Sequence, residues 1–291
     1  MPELPEVEVT RRRLAPILVG RTIARVETTK NSYFFLTKPE ELKRRLVGRT
    51  VVALNRHGKY LLAELDDGDR LLLHLGMTGQ LFSSAVSSLR LFSAKKRGSL
   101  SADALREFRP DQHTHLSLHF EDGGPSVLFR DVRKFGKVRL LSAGIDDPRL
   151  EKLGVDALSA TGRTLFEAAR ARKIPIKTLL LDQGVIAGIG NIYADEALFL
   201  AKVRPARGAR RVTERECDAI VSAAKRVMKR SIQTGGSSIS DYVTPDGSDG
   251  GYQNERQVYA RKGLPCLVCK TPIRRVVIAT RSTHYCPECQ E

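Results

Sequence analysis

Residues 266–269 read Cys-Leu-Val-Cys, and residues 286–289 read Cys-Pro-Glu-Cys. Two Cys-x-x-Cys pairs at this spacing are typical of a zinc ribbon, in which each pair supplies two corners of a thiolate tetrahedron. Disulfides and a rubredoxin-like iron site are the alternatives, since cysteines pair in oxidising compartments and thiolates also bind iron. No signal peptide precedes the chain, which argues against disulfides. We expect one structural zinc ion with the ligands Cys266, Cys269, Cys286 and Cys289.

The segment that contains these cysteines is basic, and so is the whole chain. Residues 257–291 hold six Lys or Arg against two Glu, and the chain holds 49 Lys and Arg against 33 Asp and Glu, a net charge of +16. Such a surface favours polyanions, nucleic acid first, over an unpatterned positive surface or a membrane-surface protein. We find no apolar run of membrane-spanning length and no lipidation motif. We therefore expect a cytoplasmic protein without membrane contact.

The first half of the chain has the pattern of a β-rich domain. Short apolar runs alternate with turn sequences such as Asp66-Asp67-Gly68-Asp69 and Glu121-Asp122-Gly123-Gly124, which indicates antiparallel strands in a sandwich or barrel-like layer. Helices are predicted at 5–18 and 39–47. The predicted strands are 22–30, 51–56, 60–65, 71–75, 116–120, 127–130 and 137–141.

The second half changes to helical periods. Helices are predicted at 164–173, 176–182, 192–201 and 213–233, and the last begins with a capping box of Thr213 and Glu216 and stops at Gly235-Gly236. Asp146-Asp147-Pro148 is the predicted linker. Cys217 lies in the helical pattern, so we expect it to be buried. We predict an α+β chain with domains at 1–146, 147–256 and 257–291.

The amino end reads Met1-Pro2-Glu3-Leu4-Pro5-Glu6. Removal of Met1 would leave Pro2 with a free secondary amine, and an α-amine titrates near about 7.7–8.0, so much of it is nucleophilic at neutral pH. Attack on an aldehyde-type carbon gives an iminium ion. Glu3 could donate a proton if burial raised its pKa, and Glu6 could position the amine. The alternative is that these residues only start a helix.

Several motifs resemble those of the bacterial formamidopyrimidine-DNA glycosylase family, in family order and along the whole chain. The sister group, endonuclease VIII, shares the architecture but usually carries Gly where Leu4 stands here. The matching stretches are Pro2-Glu3-Leu4-Pro5-Glu6-Val7-Glu8, Gly58-Lys59-Tyr60-Leu61, His74-Leu75-Gly76-Met77-Thr78-Gly79, Arg133-Lys134-Phe135-Gly136, Gly188-Ile189-Gly190-Asn191-Ile192-Tyr193-Ala194 and residues 257–289.

The resemblance implies a bifunctional base-excision repair enzyme, built from an N-terminal β-sandwich flanked by helices, a helix-two-turn-helix domain and a zinc-finger hairpin. It would act as a monomer on damaged double-stranded DNA, remove oxidised purines such as 8-oxoguanine and formamidopyrimidines, and nick the abasic site by β,δ-elimination. Pro2 would form the Schiff base, Glu3 would donate a proton, Lys59 would assist elimination, and Arg281 would serve the second elimination or bind phosphate. A zinc-ribbon DNA-binding protein and an endonuclease VIII-like enzyme that acts on pyrimidines remain the rivals.

The resemblance also implies a set of DNA-binding residues. Three would fill the gap left by an extruded base, because an apolar wedge and an arginine suit a kinked duplex. The simpler alternative is core packing for Met77 and Phe135 and helix capping for Asn191, as an ordinary exposed position is for Lys59. The set is Met77, Arg133 and Phe135, with His113, Arg172 and Asn191.

Two stretches depart from the family pattern. The stretch 83–107 looks longer than the corresponding loop of the family, and a surface loop and a nucleic-acid contact both fit its composition. Residues 237–242 resemble the loop that recognises the damaged base, but some relatives carry a basic residue at the position of Ser240. The lesion preference is therefore open.

Overall fold

A computed structural model describes residues 2–86, 108–238 and 242–291. Most of the 83–107 stretch, Ser240 and Met1 lie outside these residues. The chain divides into two compact units, which are treated separately below. Unit one comprises the chain up to Asp147 together with Thr234–Gly251, and unit two comprises Pro148–Gln233 with Tyr252–Glu291. The segment Thr234–Gly251 thus packs with the amino-terminal half.

Unit one is a β-sandwich with two helices. Its two four-stranded antiparallel sheets have the orders β1-β6-β7-β5 and β2-β3-β4-β8. The helices are α1 (Leu4–Leu18) and α2 (Pro39–Leu46). The strands are β1 (Ile23–Thr28), β2 (Val51–His57), β3 (Tyr60–Leu65), β4 (Arg70–His74), β5 (Gly79–Ser83), β6 (Thr114–Phe120), β7 (Val127–Asp131) and β8 (Lys137–Leu141).

One apolar core joins the two sheets. In β3 the residues Leu61, Ala63 and Leu65 are buried and alternate with half-buried neighbours, as expected for a strand with one face on the core. Phe129 of the other sheet and Leu14 of α1 belong to the same cluster. Each strand predicted from the sequence is present. Strand β5 was not predicted, because all five of its residues are buried and give no polar-apolar alternation.

Unit two is helical and ends in a hairpin. Helix α7 packs against α4 and α6, and Cys217 on α7 is buried as predicted. The helices are α3 (Pro148–Glu151), α4 (Gly162–Arg170), α5 (Ile176–Leu180), α6 (Asn191–Leu200) and α7 (Glu214–Gln233), with 3₁₀ turns at Ala209–Arg211 and Tyr252–Asn254. The strands are the short parallel pair β9 (Val155–Asp156) and β10 (Ile186–Ala187) and the antiparallel hairpin β11 (Arg274–Ile278) and β12 (Arg281–Tyr285).

The predicted start of α7 is confirmed by its hydrogen bonds. The Glu216 carboxylate accepts a bond from the Thr213 backbone N–H (2.8 Å), and the Thr213 hydroxyl accepts one from the Glu216 N–H (3.3 Å). The chain leaves the helix through Gly235 and Gly236, which have φ of 83° and 89°. Together the two units confirm the predicted α+β class. No helix among the residues described is both long and apolar enough to cross a bilayer.

Candidate active site

Pro2 and Glu3 lie buried at the start of α1. Glu3 is the N-cap residue and is 3% exposed. Its side chain accepts a bond from the backbone N–H of Glu6, and its own N–H donates to Glu6 Oε2 at 2.8 Å. This reciprocal pair satisfies two of the backbone donors that a helix start leaves open. These acids do start the helix, and the same bonds hold the backbone next to Pro2.

Glu6 also holds the segment Thr234–Gly251. Its Oε1 accepts a bond from the backbone N–H of Ser237 (2.9 Å), and its carbonyl accepts one from the Tyr242 hydroxyl (3.2 Å). Burial, and then the negative charge of Glu6, raise the pKa of Tyr242, so the hydroxyl stays protonated and donates. A Cβ at Gly236 would lie 2.9 Å from the Tyr242 ring and 3.2 Å from Glu6 Cγ. The contact therefore requires glycine.

Lys59 lies in the two-residue turn between β2 and β3. The strands pair up to His57 and Tyr60, so Gly58 and Lys59 form the turn, with Gly58 at φ 54°. Lys59 is 7% exposed. Arg56, on the strand that leads into this turn, donates through Nη1 to the Gly58 carbonyl at 2.9 Å.

Arg56 also reaches α1. Its Nε donates to Glu8 Oε2 at 3.0 Å, and both side chains are more than nine-tenths buried. Arg11 and Arg12 donate to the same carboxylate. Burial alone would raise the pKa of Glu8, but the three guanidinium groups outweigh it and lower the pKa to about 2. Glu8 is therefore ionised at neutral pH.

Met77, Arg133 and Phe135 lie on two adjacent loops of unit one. The Met77 and Phe135 side chains are exposed by 40% and 41%, and the guanidinium of Arg133 lies 4.6 Å from the Phe135 ring centre. A Cβ at Gly76 would lie 2.5 Å from the backbone of Phe135 and Gly136, so the two loops touch through their main chains. The core-packing alternative for Met77 and Phe135 is wrong, since both point outward.

A buried carboxylate holds these two loops together. Asp131 is fully buried and accepts bonds from the Thr78 hydroxyl, from the Arg133 N–H (3.1 Å) and from the Gly136 N–H (2.6 Å). Thr78 follows Met77, so one side chain orders both exposed loops. The sequence signal for this role is an aspartate at the end of a buried strand and directly before a basic loop.

His113 is half-buried in the turn before β6. Its backbone N–H donates to Asp111 Oδ1 at 3.0 Å, and its carbonyl accepts from the Asp131 N–H at 2.8 Å. Burial would raise the pKa of Asp111, but the Arg130 guanidinium more than offsets it and lowers the pKa. This ion pair makes the turn rigid, and the His113 backbone connects it to the loop that bears Arg133.

The four cysteines of the tail converge in unit two. Their sulfur atoms lie within 4.8 Å of one another, with 3.9 Å between Cys266 and Cys289 and 3.3 Å between Cys269 and Cys286. Sulfurs at the corners of a zinc tetrahedron are about 3.8 Å apart, given a Zn–S bond of about 2.3 Å. A disulfide needs about 2.05 Å, and none of these cysteines is paired that way. The four residues fit a closed zinc site that acts on structure.

Arg281 lies at the tip of the β11–β12 hairpin. The two turn residues, Ala279 and Thr280, have positive φ of 45° and 65°, the pattern of a type I′ turn that normally uses Asn and Gly. Arg281 is exposed. The next residue, Ser282, accepts a bond through its carbonyl from the Asn191 side-chain amide at 2.9 Å.

Asn191 is the first residue of α6, and Gly190 occupies the N-cap position. Asn191 therefore does not cap the helix. The structure instead brings two predicted site residues together, because the Asn191 amide holds the strand one residue after Arg281. Its Oδ1 is buried and has no hydrogen-bond partner among the residues described.

Lys177 was not predicted from the sequence. This fully buried lysine forms an ion pair with the fully buried Asp195 at 2.6 Å and donates to the Ser282 carbonyl and the Thr283 hydroxyl, both at 2.9 Å. Asp195 Oδ2 accepts from the backbone N–H of His284 at 2.8 Å. Helices α5 and α6 thus anchor the start of β12. A lysine in a short apolar helix gave no signal, because the pairing depends on the fold.

Arg172 follows α4 and lies apart from this cluster. Its guanidinium forms an ion pair with Asp182, and its side chain is 42% exposed. It is accessible to a phosphate, but any such contact would compete with Asp182. Among the predicted DNA-binding residues it is the one whose charge is already partly neutralised.

The comparisons with known proteins cover the whole chain. Family models for the formamidopyrimidine-DNA glycosylase N-terminal domain, its H2TH domain and a zinc finger found in FPG and IleRS match residues 1–138, 153–243 and 263–291. The formamidopyrimidine-DNA glycosylase of Solibacter usitatus is 39% identical over the full length of both chains.

Solved structures agree with these matches. The MutM (Fpg) protein of Thermus thermophilus has a TM-score of 0.82 and 37% identity, and the match covers 99% of this chain and 98% of the other. A MutM complex with DNA containing carbocyclic 8-oxo-G and a mutant of Lactococcus lactis Fpg with DNA containing Fapy-dG each have a TM-score of 0.84 and 34% identity over both full chains. The chain therefore belongs to the formamidopyrimidine-DNA glycosylase family.

Proposed function

We propose that this DNA glycosylase excises oxidised purines, 8-oxoguanine and formamidopyrimidines, from double-stranded DNA and then nicks the abasic site through a Schiff base on Pro2. The observation that carries the proposal is the buried helix start, where Glu3 caps α1 and Glu6 holds the Pro2–Glu3 backbone. The lesions named with the related complexes support the substrate class. The base must leave the stack first, because C1′ is otherwise shielded.

Excision and Schiff-base formation occur on one carbon. The secondary amine of Pro2 attacks C1′, the glycosidic bond breaks, and the bonding electrons leave with the base. The departing base takes a proton, and Glu3 is the nearby acid that would donate one. The nitrogen then loses its own proton and its lone pair expels the ring oxygen, so the C1′–O4′ bond breaks, that oxygen takes a proton, and an iminium ion remains between Pro2 and C1′. In this scheme Met1 is absent, since an amide-linked Pro2 has no nucleophilic nitrogen.

Two eliminations then break the DNA backbone. The iminium acidifies the C2′–H bond, so loss of that proton expels the phosphate on C3′. A second proton loss along the conjugated chain expels the phosphate on C5′, and water finally releases the sugar remnant from Pro2. Each expelled phosphate is an anion that a cation stabilises. Lys59 serves the first elimination, and Arg281 binds phosphate in the second, because a guanidinium rarely gives up its proton.

The remaining residues bind the duplex. Met77 and Phe135 are exposed apolar side chains, and with Arg133 they would fill the gap that the extruded base leaves. His113, Asn191 and Arg172 contact the sugar-phosphate backbone of the DNA, and such contacts position the duplex without reading its sequence. The bound zinc ion supplies structure to the hairpin that carries Arg281. We expect the protein to act as a monomer on damaged double-stranded DNA.

Borohydride trapping tests the mechanism. Reduction of the iminium should yield a covalent complex with abasic-site and 8-oxoguanine duplexes, mapped to Pro2 by peptide mass. A protein that keeps Met1 and the Pro2→Gly variant should trap poorly, while Pro5→Gly serves as the matched proline control. Efficient trapping after acetylation of the terminal amine would overturn the Pro2 mechanism. A panel that also contains oxidised pyrimidines decides the lesion class, and a preference for pyrimidines would replace the purine assignment.

A further inference from the structure

We infer that Arg56 is a positioning residue for Lys59, and that Glu8 anchors Arg56 to the helix that begins beside Pro2. This inference rests on the proposed function, since it assigns the geometry of the elimination step. Arg56 spans two elements. Its Nε donates to Glu8 on α1 at 3.0 Å, and its Nη1 donates to the carbonyl of Gly58 at 2.9 Å.

The bond to Gly58 acts directly on the turn that carries Lys59. Gly58 is the first of the two turn residues and has φ of 54°, in the left-handed region that favours glycine. A main-chain bond at Gly58 therefore fixes the peptide that enters Lys59. Lys59 itself is 7% exposed, so its side chain is confined by its neighbours.

The bond to Glu8 fixes the same turn relative to the nucleophile. Glu8 lies four residues after Leu4, about 6 Å along the axis of α1, and the helix start bears Pro2 and Glu3. A helix turn is stiff, so a side chain held to Glu8 is held relative to Pro2. Arg56 thus links the helix that begins beside Pro2 to the turn that carries Lys59.

A general stabilising role does not account for both bonds. Arg11 of α1 already joins this helix to β2, because it donates to the Leu54 carbonyl at 3.4 Å. It also donates to Glu8 of the same helix at 2.9 Å. Arg12 donates to the same carboxylate at 2.7 Å, but its side chain is 58% exposed. Arg56 shares the acceptor with these two arginines and adds the contact at Gly58. The three residues therefore provide an internal comparison.

The experiment separates Schiff-base formation from elimination. On a duplex with a preformed abasic site, the Arg56→Met variant should form the borohydride-trapped complex at a rate within about twofold of wild type. Strand nicking should slow by roughly 10- to 100-fold, as expected when a catalytic group is displaced by about an ångström. Arg56→Lys keeps the positive charge opposite Glu8 but cannot bridge both acceptors, so its nicking rate should be intermediate.

Arg12→Met is the matched control, and both of its rates should equal those of wild type. A parallel fall of trapping and nicking in Arg56→Met would show a merely structural role and overturn the inference, as would unchanged nicking. If Arg56→Met does not fold, Arg56→Lys decides by the same ratio of nicking to trapping. Failure of the wild-type protein to trap would instead reject the proposed function.

Discussion

At the scale of single residues, Glu8 gives the chain a defined pH dependence. Its pKa in the folded protein is lowered to about 2 by three arginines, against 4.5 for a free glutamate. A lowered pKa adds stability that is present above about 4.5 and is lost as the pH falls toward 2, and we take it as on the order of 2 kcal/mol. This stability comes from the negative charge of the Glu8 carboxylate and not from the volume of its side chain.

Glu8→Gln should therefore be less stable than wild type by about 2 kcal/mol at pH 7. The difference should shrink as the pH falls from 4.5 toward 2, because a protonated Glu8 resembles glutamine. Urea denaturation of both proteins at pH 7, 4 and 3 measures it. A difference that stays constant across this range would mean that the arginines do not set the pKa of Glu8.

Asp131 is the second residue whose charge has a direct structural use. The Asp131 carboxylate now accepts bonds from the backbone N–H groups of Arg133 and Gly136. In Asp131→Asn the side-chain NH2 group would face one of these N–H donors, and that bond would be lost. We expect a loss of about 1–3 kcal/mol in the free energy of unfolding and weaker binding of lesion duplex. Asp122→Asn is the control, because that aspartate is exposed, accepts bonds from Arg21 and the Gly124 N–H in a turn outside these loops, and should cost little when its charge is removed. Equal stability of Asp131→Asn and wild type would contradict the assignment.

At the scale of elements, the hairpin that carries Arg281 has a strained turn. Ala279 and Thr280 are exposed and adopt φ of 45° and 65°, where a residue with a Cβ, and above all a β-branched one, is disfavoured. Strain of this kind is common at functional sites, where the surrounding structure maintains it. Here the surrounding structure includes Lys177 and Asn191, which hold the Ser282 carbonyl.

Replacing the pair by Asn-Gly should relieve the strain without changing the turn type. We expect Ala279→Asn with Thr280→Gly to stabilise unit two by about 0.5–1 kcal/mol, less the entropy that glycine adds to the unfolded chain. Thermal unfolding of the zinc-loaded protein measures this. A lower melting temperature would show that the two side chains contribute packing, and a loss of DNA binding would show that the strain itself is used.

Sequence reasoning was most accurate for elements and least accurate for the contacts between them. Alternation identified β3 and helical periods identified α7, since both patterns are local. β5 was missed because burial on both faces removes the alternation. Lys177 was missed because its partners lie far along the chain, and Asp131 was missed because its bond with Thr78 joins two loops that are distant in sequence. Spacing alone gave the four cysteines, since metal ligands must be close in space and two of them are close in sequence.

At the scale of the molecule, the net charge of +16 is spread over two units with separate roles. Unit one contains Pro2, Glu3 and Lys59, and unit two contains Asn191, Arg281 and the zinc ligands. The predicted domain limits at 146/147 and 256/257 stay predictions. The segment Thr234–Gly251 packs with unit one although it follows α7 of unit two, a placement that helical periodicity does not reveal.

Loss of zinc should therefore affect the two units differently. The Cys286→Ser variant lacks one of four thiolates, and a hairpin with four exposed residues of five in β11 has little core to hold it. We expect less than one zinc ion per chain by metal analysis and a roughly tenfold or greater loss of duplex affinity at fixed salt, since the hairpin carries Arg281 and other cations. The sandwich of unit one has its own apolar core, so protease-resistant fragments of that unit should persist.

Cys217→Ser, a change at a buried cysteine outside the cluster, controls for loss of a thiol, and this variant should keep its zinc. Unchanged duplex affinity in Cys286→Ser would refute the structural role of the metal, and loss of protection in unit one would show that the units do not fold separately.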